Sequence, residues 1–203
     1  MKFLITGFEP FHDHPINPSQ LLVESLPDQY LDVQLVKGIL PVHHLLGPER
    51  LLSLLAGNQP DAVLAFGLAA NRTKVSLERV AINLMDYSIA DNAGVTVTNR
   101  PIDPNGPAAY FSTLPIEQLL STLVDEEIPT EISLSAGAYL CHQVFYTLMH
   151  WVAAQKKRMS AGFIHLPALP EQAARSSGPM PSLPLDYFTR AALLIIDTII
   201  LHT

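Results

Sequence analysis

The feature that most constrains the fold of this chain is a regular alternation of short apolar runs with longer helix-like segments. The runs are rich in Val, Ile and Leu, and several end at a glycine or a proline, which is typical of buried strands. The predicted strands are 2–6, 32–40, 61–66, 131–134 and 162–165, and the predicted helices are 18–26, 47–56, 116–127, 141–155 and 185–201. This alternation predicts an α/β fold, a single-domain three-layer α/β/α sandwich with a mainly parallel twisted sheet.

The middle of the chain departs from this alternation. Residues 75–84 predict extended structure, and Asp91-Asn92-Ala93-Gly94 followed by residues 95–98 predicts a hairpin turn. We interpret residues 85–104 either as a lid over a site or as an arm that contacts another subunit. Because the sequence has 203 residues, no repeat and no long linker, we expect one domain over residues 1–203.

The composition argues against several classes of partner. Apolar residues make up 48% of the sequence and charged residues 15%, which supplies a sizeable core. Lys and Arg number 12 against 19 Asp and Glu, and the only basic run, Lys156-Lys157-Arg158, suits the end of a predicted helix. The most apolar tract, residues 191–201, is interrupted by Asp197 and Thr198 and is shorter than the ~20 residues that a membrane span needs. We therefore expect neither nucleic acid nor a membrane as a partner.

Cysteine and histidine usage limits the other possibilities. The single cysteine, Cys141, cannot form an internal disulfide or a cysteine zinc site. Residues 1–6 are too short for the core of a signal peptide, so we expect a reducing, cytoplasmic setting. The pairs His12/His14 and His43-His44 lack an HExxH pattern or an acidic partner motif, and we interpret them as solvated loop histidines.

Candidate catalytic groups come from the strand ends, because ligands of open α/β sheets bind outside the carboxyl ends of the strands. The segments in that position are 7–11, 67–72, 135–141 and 165–167. Cys141 begins a predicted helix, where unpaired N–H groups and the helix dipole favour a thiolate. His165 ends a predicted strand, and a thiolate beside a histidine is what cysteine acyl transfer requires. Each residue alone is more often a structural side chain, and it is their joint placement at the predicted ligand edge that supports a catalytic pair.

A third group should orient the imidazole. Glu78 is the candidate, because it is a charged residue within an otherwise apolar, strand-like run. The alternative is an exposed strand residue that pairs with Arg79 or Arg72. Composition alone does not decide between the two interpretations.

Several motifs occur in a fixed order along the chain. They are Gly7-Phe8-Glu9-Pro10-Phe11, Asn17-Pro18-Ser19, Glu78-Arg79-Val80-Ala81-Ile82-Asn83, the segment 106–116, Ser135-Ala136-Gly137 through Cys141, and Gly162-Phe163-Ile164-His165. With their spacing, which extends from residue 3 to about residue 190, they resemble the pyroglutamyl peptidase I (pyrrolidone-carboxylate peptidase) family of cysteine peptidases.

The resemblance implies a hydrolase that releases the N-terminal pyroglutamyl residue from peptides. It implies Cys141 as the nucleophile of an acyl-enzyme, His165 as general base and acid, and Glu78 as the residue that orients His165. It also implies an α/β fold, no metal or organic cofactor, and a homo-oligomer, a tetramer or a dimer. The pocket residues that it implies are Phe8 and Phe11, which would sandwich the lactam ring, with Val42, Ile89, Tyr139 and Leu140 nearby.

Four positions differ from what the resemblance leads us to expect. Leu68 stands in place of a glutamine, Asn71 of a glycine, Ser88 of an arginine and His142 of an asparagine. They leave the implied catalytic residues intact, but they support an alternative: a catalytically weakened or non-catalytic homologue that binds lactams or pyroglutamyl peptides. A second alternative, a nucleoside-type phosphorylase or hydrolase, needs a phosphate or ribose site, and no basic cluster is placed to make one.

Overall fold

The computed structural model describes residues 1–12, 15–87, 89–155 and 158–202. The strands are β1 (Lys2–Phe8), β2 (Gln29–Tyr30), β3 (Val33–Leu40), β4 (Ala62–Leu68), β5 (Val75–Glu78), β6 (Val80–Ile82), β7 (Met85–Tyr87), β8 (Val97–Arg100), β9 (Ala109–Phe111), β10 (Thr130–Ser133) and β11 (Ser160–Leu166). The helices are α1 (Pro18–Ser25), α2 (Leu46–Asn58), α3 (Ile116–Asp125), α4 (Leu140–Ala153), α5 (Pro170–Ala173) and α6 (Leu185–Leu201). His14, Ser88, Lys156 and Lys157, which the sequence analysis names, lie outside the described residues.

Seven strands form the central sheet, in the order β10-β5-β11-β4-β1-β3-β2. Strands β1, β3, β4 and β11 are parallel to one another. Strand β5 pairs with β11 in the antiparallel sense and with β10 in the parallel sense, and β2 pairs with β3 in the antiparallel sense, so β2, β5 and β10 run against the other four strands. The prediction of an α/β domain with a mainly parallel sheet is confirmed, and the reversal of β5 and β10 is new.

The two faces of the sheet carry separate apolar clusters. Leu64 and Phe66 of β4 belong to the cluster under α1, α3 and α6, whereas Val63 and Ala65 belong to the cluster under α2 and α4. Successive side chains of a strand point to opposite faces, so a strand covered on both sides becomes a continuous apolar run. This explains why β4 is buried throughout. Of the helices in the described part of the chain, none has both the length and the apolarity needed to cross a membrane.

Local signals place several helix ends correctly. Asn17 caps α1 by accepting a hydrogen bond from the Ser19 N–H (3.0 Å) through its side-chain oxygen, and Pro18 is the first helical residue. Helix α6 has the predicted bounds, Leu185–Leu201. The short elements β2, β9 and α5 were not predicted. The predicted hairpin turn is present, since the Gly94 N–H donates to the Asp91 carbonyl (2.9 Å) between the paired strands β7 and β8.

Two glycines that we expected to end strands lie inside them instead. Gly7 pairs with Ile39 within β1, and Gly67 pairs with His165 within β4 and β11. A side chain at Gly7 would place Cβ 2.6 Å from the backbone carbonyl carbon of Ser19, at the start of α1. Gly7 is therefore the residue that allows α1 to approach the sheet closely, and it does not end the strand.

The two substitutions Gly7→Ala and Gly57→Ala should change stability in opposite directions. Gly7→Ala forces α1 away from β1 and should cost about 1–3 kcal/mol of unfolding free energy. Gly57 lies in α2 with no atom within 4 Å of the added methyl group, so Gly57→Ala should stabilise the protein by about 0.5–1 kcal/mol. Urea unfolding of the three proteins measures both effects, and equal effects of the same sign would contradict this account of Gly7.

Candidate active site

Three of the four segments selected at the strand ends meet at one edge of the sheet. Because β1, β4 and β11 are parallel, residues 7–11, 67–72 and 165–167 all follow the same edge. The reasoning was wrong for residues 135–141, since β10 runs the other way and its carboxyl end points to the opposite edge. The segment 134–139 therefore has to lead back to the edge where β1, β4 and β11 end before α4 begins. This return of the chain brings Cys141 to the site.

Glu78 and His165 are hydrogen-bonded inside the sheet. The Oε1 atom of Glu78 lies 2.7 Å from Nδ1 of His165, and the two residues are 0% and 4% exposed. Glu78 pairs with Phe163, two residues before His165, so all three side chains lie on one face of the sheet. The Phe163 ring packs edge to face against the imidazole at 4.9 Å. Glu78 is thus not an exposed strand residue.

The Glu78 carboxylate determines which imidazole nitrogen carries the proton. Burial is the largest single influence and raises the pKa of Glu78, but the hydrogen bonds and charges of His165, Ser133 and Arg72 outweigh it and lower the pKa below its ordinary value. An ionised carboxylate can only accept, so Nδ1 of His165 is the donor. The Nε2 atom is then left unprotonated and can act as a base.

The Cys141 thiol lies over Gly67, on the same sheet face as His165. A Cβ added at Gly67 would be 2.7 Å from Sγ of Cys141 and 2.8 Å from the Phe163 ring. Gly67 is the Cα partner of His165 on the neighbouring strand, and strands in a sheet lie about 4.8 Å apart. The missing side chain at Gly67 therefore makes room for the sulfur beside the imidazole.

The helix that carries Cys141 also supplies hydrogen-bond donors. Cys141 is the second residue of α4, and the Gln143 N–H donates to the Tyr139 carbonyl (3.0 Å). The N–H groups that precede Gln143 in the first turn have no carbonyl within the helix to bind. Such groups, with the positive end of the helix dipole, can bind an oxyanion.

The protonation state of Cys141 differs from our expectation. The sequence predicts a thiolate favoured by the helix start, whereas burial, reinforced by the charge of Glu78, raises the pKa of Cys141 to about 12. The charge of Arg72 acts in the opposite direction. Burial therefore opposes the thiolate that the helix start favours, and a nucleophilic role for Cys141 would need a base that removes its proton.

A pocket adjoins Cys141 and contains five of the six residues that the resemblance implied. Phe8, Phe11, Val42, Tyr139 and Leu140 line it together with Asn17, Leu68 and Cys141. Ile89 is 50% exposed and is not among the lining residues. Asn17 was named only within the Asn17-Pro18-Ser19 motif and not as a pocket residue, and no signal in the sequence separates its place in the pocket wall from its role as the cap of α1. Its amide is committed to Ser19 and to the Glu9 carbonyl, so the pocket walls are mainly apolar.

Comparison with known proteins agrees with this geometry. Residues 1–202 match the pyroglutamyl peptidase family. The chain belongs to that family. It is 42% identical to the pyrrolidone-carboxylate peptidase of Thermococcus onnurineus, with 98% of each chain covered, and 44% identical to that of Vibrio vulnificus, with 90% of this chain and 85% of the relative covered.

Solved structures of family members share the fold. The pyrrolidone carboxyl peptidase of Pyrococcus furiosus is 38% identical, with a TM-score of 0.94 over 98% of this chain and 97% of that one. The pyroglutamyl peptidase I of Bacillus amyloliquefaciens is 35% identical, with a TM-score of 0.92 over 97% and 93% of the two chains.

The positions that depart from the expected family residues fall in different environments. Leu68 lines the pocket, whereas Asn71 is exposed and Ser88 lies outside the described residues. His142 is buried, with Nε2 2.7 Å from the Ile82 carbonyl oxygen, and burial lowers its pKa. His142 therefore joins α4 to β6 as a neutral ring.

The loops around this family member's pocket are held together by Glu9 and Asn92. Oε1 of Glu9 accepts hydrogen bonds from the Val42 N–H (3.0 Å) and from Nδ2 of Asn92 (2.9 Å). The Tyr139 hydroxyl donates to the Ala90 carbonyl (3.2 Å). The hairpin that begins at β7 is thereby attached to two walls of the pocket, although its role as a lid or an arm stays a prediction.

The interpretation of His44 as a solvated loop histidine is wrong. Its ring Nδ1 lies 2.8 Å from Oδ2 of the buried Asp91, which also accepts hydrogen bonds from the backbone N–H groups of His44, Ala93 and Val95. The acidic partner is 47 residues away in sequence, so no local motif shows it. His43, His44 and Asp91 each place a possible metal-ligand atom within 4.8 Å of the others, but hydrogen bonds from the protein already engage both Asp91 oxygens.

The Asp91 carboxylate should give stability a defined pH dependence. Burial raises its pKa, but the hydrogen bonds from His44, Val95 and Ala93 outweigh this and lower it from 3.8 to about 2. A carboxyl group whose pKa is lower in the folded state than in the unfolded state stabilises the protein at pH values above the unfolded-state pKa. This stabilisation is lost as the pH falls through the folded-state pKa. Asp91→Asn should therefore cost about 2 kcal/mol at pH 7, with a deficit that shrinks between about pH 4 and pH 2.

Urea unfolding at several pH values measures this deficit. Asp32→Asn at an exposed position is the control and should change stability by less than about 0.5 kcal/mol. A deficit of Asp91→Asn that stays constant across this pH range would contradict the assignment.

Proposed function

We propose that the protein is a cysteine omega-peptidase that hydrolyses the bond between an N-terminal pyroglutamyl residue and the next residue of a peptide. The observation that carries the proposal is the buried Glu78–His165 hydrogen bond on the sheet face where Cys141 lies over Gly67. This arrangement contains a nucleophile, a base and a group that orients the base. Membership of the pyroglutamyl peptidase family supports the same reaction.

In the proposed first step, Nε2 of His165 takes the Cys141 proton while Sγ attacks the carbonyl carbon of the pyroglutamyl residue. Because the resting pKa of Cys141 is about 12, this proton transfer accompanies the attack. The carbonyl oxygen becomes an oxyanion that the N–H groups at the start of α4 stabilise. Glu78 accepts the Nδ1 hydrogen bond and stabilises the imidazolium.

In the second step, the carbon–nitrogen bond breaks and His165 protonates the departing amine, which leaves a thioester on Cys141. Water then attacks the thioester while His165 takes a proton from it. The carbon–sulfur bond breaks, Cys141 recovers its proton from His165, and pyroglutamate is released. His165 therefore acts as a base towards Cys141 and water and as an acid towards the departing amine and the Cys141 sulfur, and protons balance over the cycle.

The pocket explains the proposed preference for pyroglutamate. The lactam ring is flat and has no charged amine, so apolar and aromatic walls suit it. Phe11 and Tyr139 are neighbouring aromatic walls, with ring centroids 6.2 Å apart. Among the described lining residues, none is a carboxylate that could pair with a charged terminal amine. A peptide with an ordinary charged N-terminus would lose its hydration in this pocket without compensation.

The alternative of a non-catalytic lactam-binding homologue is not favoured, since Glu78 and His165 are hydrogen-bonded and Cys141 lies over Gly67 on the same face of the sheet. The family match also gives no support to a nucleoside phosphorylase or hydrolase. A peptide is the proposed substrate. The cytoplasmic setting and the homo-oligomer, a tetramer or a dimer, stay predictions.

Hydrolysis of a fluorogenic pyroglutamyl amide under reducing conditions tests the proposal. The wild type should release the fluorophore, and Cys141→Ser should be slower by about 10³-fold or more, because the hydroxyl is a far weaker nucleophile at neutral pH. Glu78→Gln replaces the acceptor-only carboxylate by an uncharged amide that can also donate, so it no longer selects one imidazole tautomer, and it should lower kcat by about 10²–10⁴-fold.

A prolyl amide is the matched control substrate, since its ring has the same size but carries a charged amine. It should be hydrolysed far more slowly than the pyroglutamyl amide. A folded wild type that releases fluorophore from neither substrate, or from both equally, would overturn the proposed function.

A further inference from the structure

A single guanidinium group touches both parts of the catalytic site. Nη2 of Arg72 lies 3.0 Å from Oε1 of Glu78 and donates a hydrogen bond to the Ser135 carbonyl (2.8 Å). Glu78 orients the base, and Ser135 belongs to the segment that returns from β10 to the Cys141 helix. Arg72 itself lies in the loop after β4, where its N–H donates to the Ala69 carbonyl (2.9 Å).

We propose that Arg72 is a positioning residue, which holds the Glu78 carboxylate and the chain segment leading to Cys141 in a fixed relation to each other. The inference rests on the proposed function, because it assigns a role within that reaction. Arg72 does not line the pocket beside Cys141 and acts through Glu78 and Ser135.

The geometry requires an arginine at this position. Oε1 of Glu78 lies 2.7 Å from Nδ1 of His165 and 3.0 Å from Nη2 of Arg72, so two donors hold the carboxylate from two directions. A carboxylate that is 0% exposed is costly to keep ionised without such partners. The planar guanidinium can donate to the carboxylate and to a carbonyl together, whereas the ammonium group of a lysine is a point charge at the end of a flexible chain.

Arg72 also offsets an electrostatic cost that Glu78 imposes on the nucleophile. The negative charge of Glu78 raises the pKa of Cys141, and the positive charge of Arg72 lowers it. Removal of Arg72 would leave the charge of Glu78 less compensated, so the thiolate that forms during attack would be less stable.

Other ionisable groups surround this centre. Glu131 on β10 accepts a hydrogen bond from the Ser76 hydroxyl (2.9 Å) and lies 3.8 Å from Nη1 of Arg72. The groups that influence Glu78 or Cys141 electrostatically from the packed elements are Arg72, Tyr139, His142 and His165. Of these, Arg72 is the one that bonds to both Glu78 and the returning segment.

A double-mutant cycle with Glu78 tests the positioning role. Arg72→Met should lower kcat on the pyroglutamyl amide by on the order of 10²-fold, the cost of misplacing a catalytic group by about 1 Å, with KM changed by less than about twofold. In a Glu78→Gln background the same substitution should have little further effect on kcat. A loss of kcat that is equal in both backgrounds, or a change confined to KM, would overturn the proposal.

Alkylation of Cys141 by iodoacetamide gives a second readout that does not depend on peptidase activity. Arg72→Met should lower the alkylation rate at a fixed pH by about tenfold, equivalent to about one unit in the pKa of the thiol. Arg72→Lys should restore most of this rate by restoring the charge, but only part of the lost kcat. An unchanged alkylation rate in Arg72→Met would overturn the electrostatic part. If the wild type had no peptidase activity but its alkylation rate depended on Arg72 in this way, the proposed function would fail while the contact held.

Arg190→Met is the matched control, since Arg190 also donates to a backbone carbonyl, that of Glu126 (3.2 Å), and lies 3.8 Å from the carboxylate of the same residue. It is on α6, and its substitution should change neither kcat nor alkylation. Thermal unfolding of each variant separates a folding defect from a catalytic one. If Arg72→Met does not fold, Arg72→Lys provides the test: wild-type kcat in that variant would overturn the need for a guanidinium.

Discussion

The site depends on one buried negative charge, the carboxylate of Glu78 in the central sheet. Such a charge costs several kcal/mol to remove from water unless its partners compensate for it. His165 and Arg72 both reach the same oxygen, at 2.7 Å and 3.0 Å. The need to neutralise this charge therefore constrains the positions of both side chains. Because the carboxylate accepts a hydrogen bond from Nδ1 of His165, a neutral imidazole in this position presents an unprotonated Nε2.

The reversed direction of β5 is what brings Glu78 to His165. In the antiparallel pair of β5 and β11, Glu78 is opposite Phe163, so it shares a face with His165 two residues further along. A parallel strand at this position would end at the ligand edge of the sheet. Its last residue would then lie next to a loop. The antiparallel strand instead places its last residue within the sheet, where packing and pairing restrict its rotamers. This gives the orienting group a rigid support and leaves the loops free to form the pocket.

Sequence reasoning identified most strands of the central sheet and the longer helices of this fold, because its apolar periodicity is strong. It failed where the information is not local. The pairing of His44 with Asp91 crosses 47 positions, and the direction of β10 follows from the pairing of β5 with β11. We expected Gly67 to end its strand because a glycine often ends a strand. The structure shows instead that it leaves space for Cys141, which is distant in sequence. The raised pKa of Cys141 likewise depends on burial by distant segments, whereas the helix start that suggested a thiolate is visible in the sequence.

The apolar character of the pocket has two effects that belong together. Walls such as Phe8, Phe11 and Leu68 suit an uncharged ring and disfavour a charged amine, and the same exclusion of water raises the pKa of the adjacent Cys141. Selectivity by desolvation is thus linked to a less acidic nucleophile. A site of this kind cannot rely on a pre-formed thiolate and needs a base whose orientation and tautomer are already set. In the proposed mechanism the Glu78–His165 pair supplies that base, and the Arg72 charge reduces the cost that Glu78 adds. The charged network behind the histidine therefore compensates for the less acidic thiol that the apolar pocket creates, and Arg72 offsets the cost that this network itself adds.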